Sequence, residues 1–314
     1  MIAQKKFTSH SERPLVLGHR GVMALHQENS FSGFRRAMEL GIDGVEMDVK
    51  LTRDRRVVVF HDDSTERLTG VRGQISDMTW DQVSQLRLQR RIPIGQGRFT
   101  DYEREERIPL LEEVLSEFGG RLLMNIEMSV TEVNWNYRHL GTRVATLLKK
   151  AGVTASVIVT SFDPFMLRFL KKESPELASG LSYHAGMVDV VATWLTETHI
   201  LKSMLNLDRA ERYARNFIHW VLDTNFVGRL TNSTVLCSED AMINEEVIRK
   251  FRQRGMLVGA YTMFPRDLNQ AQPSIEDQLS VLRRLIELDV DWIETDEPEL
   301  TLQLLTLAGS RRAR

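Results

Sequence analysis

Residues 15–63 read LVLGHRGVMALHQENSFSGFRRAMELGIDGVEMDVKLTRDRRVVVFHDD, and the order of patterns in that stretch decides the fold. A short apolar run at 15–18 is followed by Phe31, Phe34 and Met38 at helical spacing, with Ala37 beside them and Gly41 as a stop. A second apolar run then begins near Val45, which gives strand, loop, helix, strand, the start of an α/β pattern. Barrels and doubly wound sheets both keep their sites at the carboxyl ends of strands, and His19 stands at such an end. Residues two apart on a strand point the same way, so Glu46 and Asp48 share one face while Val45, Met47 and Val49 share the other. Two adjacent carboxylates repel each other and lose hydration unless a cation or water neutralises them, and a metal is the obvious candidate. The run V-V-V-F then ends at His61.

Beyond this stretch, residues 62–109 are polar, carry Gly70, Gly73, Gly95 and Gly97, and show little strand periodicity. Strand and helix patterns alternate afterwards. Candidate strands fall in L-L-M-N-I-E-M-S, S-V-I-V-T-S, 178–183, T-V-L-C, M-L-V-G-A-Y-T and D-W-I-E, with helices between them, and a mostly helix-like segment rich in Met and Trp spans 186–227. In the first of these runs, Asn125, Glu127 and Ser129 share a face, opposite Met124, Ile126 and Met128. Nothing resembles a G-x-G-x-x-G or a P-loop. The pattern predicts an irregular TIM-type (β/α)8 barrel: nine candidate runs compete for eight places, and the E-x-D and H-D runs are too close for a helical crossover. The expected organisation is a single domain over 1–314, with 62–109 either a long surface excursion or a small insertion after an early strand.

The 314 residues, 42% hydrophobic and 27% charged, suit an ordinary soluble globular protein. A net charge of −2 offers no basic field for nucleic acid. No apolar run approaches the ~20 residues of a membrane helix and no signal peptide opens the chain, so the expected location is cytoplasmic. The single cysteine, Cys237, excludes an intrachain disulfide and reads as packing.

H-R-G at 19–21, E-N at 28–29, E-x-D at 46–48 and H-D at 61–62 together resemble the signature of the glycerophosphodiester phosphodiesterases. I-P-L-L-E-E-V-L at 108–115, N-I-E at 125–127, S-F at 161–162 and D-W-I-E-T-D-E-P at 291–298 continue the likeness in the same order. The resemblance covers roughly residues 15 to 305 and implies metal-dependent hydrolysis of glycerophosphodiesters to glycerol 3-phosphate and an alcohol. The insertion resembles one that this family carries between early barrel strands.

For that chemistry His19 and His61 are the expected acid–base pair, since histidine titrates near neutral pH and can activate a nucleophile or protonate a leaving alkoxide. Glu46, Asp48 and Glu127 offer only oxygen, which favours Mg²⁺ or Ca²⁺ over zinc. Arg20 can clamp a phosphate oxygen, or pair instead with Glu46 or Glu28. Glu28 and Asn29 can cap the helix that follows them, although the family likeness puts them near the site. Two departures bear on the substrate. The family commonly has lysine where this chain has Ser129, which removes a charge expected to meet the phosphate, and tryptophan where it has Tyr261, which keeps an aromatic wall. Asp296 and Pro298 match the family's closing T-D-x-P and read as mainly structural. Two rivals stand beside the expected small phosphodiester substrate: a lysophospholipase D, with 186–227 shaping a mouth for a lysolipid chain, and a non-catalytic phosphate-binding barrel.

Overall fold

The computed structural model describes residues 6–8, 13–129, 137–197, 207–265 and 273–309. Among them, eight parallel strands close into a barrel: β1 Leu15–Gly18, β2 Gly44–Leu51, β3 Leu123–Met128, β4 Val157–Ser161, β5 Ala178–Tyr183, β6 Val235–Glu239, β7 Leu257–Met263 and β8 Trp292–Thr295. Each strand pairs with the next, and β8 and β2 both pair with β1, which closes the ring. The ninth apolar run is the surplus one. Val57–Val59 turns back and pairs antiparallel with the end of β2, Val49 opposite Val59, so no helix is needed between them. That return brings His61 back to the mouth, where the neighbouring Phe60 amide donates to the Asp48 carbonyl at 2.9 Å.

The helices form where the periodicity placed them. α1 Phe31–Leu40 starts at Ser30, whose hydroxyl accepts from the Gly33 amide at 3.2 Å, and ends at Gly41 in the left-handed region. Its Phe31, Phe34 and Ala37 are buried, and both phenyl rings meet Phe118 of α2 Leu111–Phe118. α3 His139–Ala151, α4 Pro164–Glu173, α5 Met187–Glu197, α6 Leu207–Thr224, α7 Phe226–Thr231, α8 Glu245–Arg252, α9 Ile275–Glu287 and α10 Pro298–Gly309 follow. The outer layer between strands and helices is apolar, and it takes Val45, Met47 and Val49 from β2 with Met124, Ile126 and Met128 from β3, the faces that alternation assigned outward.

Inside the barrel, Leu17, Ile158, Ala178, Val235, Cys237, Leu257 and Trp292 form a second cluster with Phe7, whose ring meets Trp292 edge-on at 6.1 Å. Gly259 leaves room for that indole: a Cβ there would lie 1.9 Å from Trp292 Cε2. Gly259→Ala therefore overpacks the barrel interior and is expected to cost about 1–3 kcal/mol, read as a lower denaturant midpoint at unchanged slope. Val58 and Phe60 form a third cluster with residues of the 62–109 stretch, Leu68, Ile75, Val83, Leu88, Ile92 and Tyr102 among them.

No helix among the described residues is long and apolar enough to cross a membrane.

Candidate active site

A cavity of about 850 Å³ opens at the carboxyl ends of the strands, lined among others by His19, Arg20, Glu46, Asp48, His61, Glu127, Tyr261 and Glu294. The parallel register explains the gathering. Asp48 of β2 lies beside Glu127 of β3, and Glu46 beside Asn125. Alternation then aims all four side chains into the barrel. Ser129 directly follows β3; its hydroxyl lies 3.4 Å from Asp48 Oδ1, in an adjoining cavity that shares His61 and Glu127.

His19 is carried just past β1, its amide donating to the Thr295 carbonyl at 2.9 Å. Its Nδ1 sits 2.5 Å from Asp296 Oδ1, and its Nε2 lies 3.8 Å from Glu46 Oε2. Asp296 thus orients a site histidine, which corrects the mainly structural role expected of it. Burial opposes protonation of His19, but the Asp296 carboxylate outweighs it with help from Glu46, and the pKa is pushed up to about 10. His61 has an aspartate on the same ring nitrogen, with Nδ1 2.8 Å from Asp62 Oδ1.

A ladder of ion pairs runs from Asp48 to Asp62, the partner of His61. Arg20 Nε lies 3.2 Å from Asp48 Oδ2, Arg20 Nη1 donates to Glu28 at 3.0 Å, and Arg67 binds Glu28 at 2.8 Å and Asp62 at 2.6 Å. Arg20 holds a left-handed φ of 51° while its amide donates to Glu46 Oε2 at 2.9 Å. Hydrogen bonds on both sides of the residue fix that uncommon backbone, a strain typical of functional sites. Glu28 and Asn29 do not cap α1, since Ser30 does; Asn29 instead donates to Asp48 Oδ2 at 3.0 Å.

Negative charge is in excess here. Burial and the neighbouring Asp48 push Glu46 well above the usual carboxylate range, and burial with Asp48 and Glu294 takes Glu127 up to about 8. Burial also raises Glu294, against hydrogen bonds from Trp292 and Asn125. Burial works against Asp48 too, yet His61, Arg20 and Asn29 hold it below its ordinary value. Hard oxygen donors that resist ionising together fit a divalent cation. Among the described residues, the set whose donor atoms come within 4.8 Å of one another is a different one, Glu28, His61 and Asp62. Arg67 already places its guanidinium between that glutamate and that aspartate.

The rest of the lining had escaped the sequence reading in part. Phe162 meets His184 edge-on at 5.1 Å and Tyr261 at 6.5 Å, and the Tyr261 hydroxyl donates to the Tyr183 carbonyl at 2.7 Å. Gly186, Pro265 and Pro273 also line the cavity, so the segments after β5 and β7 start at the mouth. Residues 198–206 and 266–272 lie outside the described residues. Glu294 and Asp296 carried a signal, polar positions on and just after an apolar strand, and His184 carried the one that marked His19, a histidine directly after a strand run.

The fold and the site define a TIM-type barrel with two aspartate-oriented histidines across a carboxylate-lined mouth. Residues 19–300 match the glycerophosphoryl diester phosphodiesterase family. A glycerophosphodiester phosphodiesterase of Caldanaerobacter subterraneus is 36% identical over 298 residues, 95% of this chain and 100% of the relative. A solved structure from Silicibacter pomeroyi superposes with a TM-score of 0.75 at 19% identity, covering 98% of both chains. An Oleispira antarctica phosphodiesterase, solved with the product sn-glycerol-3-phosphate, does so at 0.61 and 19%, covering 96% of this chain and 99% of its own. The chain belongs to the glycerophosphoryl diester phosphodiesterase family.

Proposed function

We propose that this protein hydrolyses glycerophosphodiesters to glycerol 3-phosphate and an alcohol, with His19 and His61 as its acid–base pair. The observation that carries the reading is the shared geometry of those residues: each gives Nδ1 to an aspartate, and both line one cavity with the carboxylates. An aspartate on Nδ1 fixes ring and tautomer and leaves Nε2 for proton transfer. One Nε2 takes a proton from the attacking hydroxyl or water; the other returns one to the departing alkoxide. Glu46, Asp48 and Glu127 would hold Mg²⁺ or Ca²⁺, which when bound neutralises charge on the phosphate. Arg20 and Ser129 face the phosphate, and Tyr261 with Phe162 walls the organic part. The relatives' names support the substrate class.

Incubation with glycerophosphocholine and Mg²⁺ or Ca²⁺ is expected to release glycerol 3-phosphate and choline in equal amounts. Phosphocholine with glycerol would mean the other ester bond breaks, and faster turnover of a lysolipid would move the protein to a lysophospholipase D. Phosphate binding without turnover of any diester would leave a binding barrel.

A further inference from the structure

Lys50 stands two residues beyond Asp48 on β2, so it extends the face that already carries Glu46 and Asp48. Its side chain is only 2% exposed, and it borders the adjoining cavity of about 660 Å³ together with His61, Glu127, Ser129 and Phe162. The strand register explains its place. Val49 pairs with Met128, and the Ser129 amide donates to the Val49 carbonyl at 3.2 Å, so Lys50 and Ser129 are neighbours at the top of two adjacent strands. The Lys50 ammonium reaches Asp63, two residues after His61, at 3.0 Å.

A lysine is costly to bury unless opposite charge accompanies it, so a buried ammonium marks a place where negative charge gathers. Its Asp63 partner is a carboxylate 68% exposed, and ion pairs with so exposed a group add little to stability. The ammonium thus sits on a face rich in carboxylates, and an anion bound where the two cavities meet would gain a preplaced cation there. His61, Glu127 and Phe162 line both cavities, which makes them the junction; Lys50 lines the smaller cavity, and His19 and Glu294 line only the larger one.

We infer that the Lys50 ammonium is a phosphate-contacting group of this site, donating to an oxygen of the bound phosphodiester from β2 beside Ser129. This rests on the phosphodiesterase reading above. Negative charge grows on the phosphate oxygens in the transition state, so a fixed ammonium there stabilises it more than the ground state. No covalent step is required of Lys50.

The test compares Lys50→Gln, Lys50→Arg and the double variant Lys50→Gln/Ser129→Lys, reading kcat, KM, inhibition by inorganic phosphate and thermal midpoint. Lys50→Gln should lower kcat/KM on glycerophosphocholine by roughly 10²-fold, the scale of losing one preorganised transition-state donor, and weaken phosphate inhibition. Lys50→Arg should retain most of both. Moving the charge to the neighbouring strand in the double variant should recover part of the loss, which no purely structural role of Lys50 would allow. Unchanged kinetics and phosphate inhibition in Lys50→Gln overturn the assignment, as does a loss that follows the thermal midpoint alone and is not recovered by the double variant. Should the unaltered protein turn over no diester, the reading of function fails; direct calorimetric binding of inorganic phosphate, weakened by Lys50→Gln or not, still decides whether Lys50 contacts the anion.

Discussion

Replacing His19 or His61 with alanine is expected to lower kcat on glycerophosphocholine by roughly 10²-fold or more, the usual cost of losing a general acid or base. The thermal midpoint should move little. His61 is 38% exposed and His19 sits past the end of its strand, so neither deletion opens a cavity in an apolar cluster. Asp296→Asn tests the same catalytic pair from behind. Without the carboxylate at 2.5 Å, His19 loses its main stabilising charge while burial and Arg20 still oppose protonation, so its pKa should fall from about 10, visible in a histidine NMR titration. The loss of kcat should lie between wild type and His19→Ala, because the ring remains while its charge and orientation do not. Near wild-type turnover in His19→Ala or in His61→Ala would remove that histidine from the mechanism.

The barrel was legible because its signal is periodic. Alternation on β2 and β3 separated the outward Val45, Met47, Val49, Met124, Ile126 and Met128 from the inward Glu46, Asp48, Asn125 and Glu127 without any tertiary information. The ninth run was legible as a surplus but not as a strand of the opposite sense. Val57–Val59 has the composition of a buried parallel strand, and only its pairing with the end of β2 shows that it is a return. The ion-pair ladder was illegible for a different reason. Glu28 and Arg67 are 39 positions apart, and Arg67 lies in a polar stretch where an arginine ordinarily faces water. Lys50 was hidden by its neighbours, since in K-L-T-R-D-R-R it reads as the first residue of a solvated turn. It belongs to the site only because β2 continues two residues beyond Asp48 and meets Ser129 there. The chain thus places a cation next to the position where the family likeness implied one and Ser129 has none.

Exhaustive chelation is expected to abolish turnover, the largest effect anticipated here, and Mg²⁺ or Ca²⁺ should restore it. The electrostatics of the mouth also predict a readout that does not depend on activity. In the cation-free protein, burial and the nearby Asp48 and Glu294 take Glu127 from an ordinary value of 4.5 up to about 8, and Glu46 is raised as well. A carboxylate whose folded pKa is raised binds its proton more tightly folded than unfolded. Its contribution to stability therefore declines as pH rises from about 4.5 and is fully lost above about 8. A bound divalent cation replaces the proton as the neutralising charge, and because it binds the folded state preferentially it raises the thermal midpoint by mass action. The midpoint shift on adding Mg²⁺ or Ca²⁺ to chelated protein should accordingly be larger at pH 8 than at pH 5, where protons compete for the same oxygens. Glu127→Gln keeps the shape but removes one ionising ligand, so it should flatten this pH dependence and reduce the shift. A midpoint that ignores both cations at pH 8, in protein that remains fully active after chelation, would show that Glu46, Asp48 and Glu127 are not a cation site.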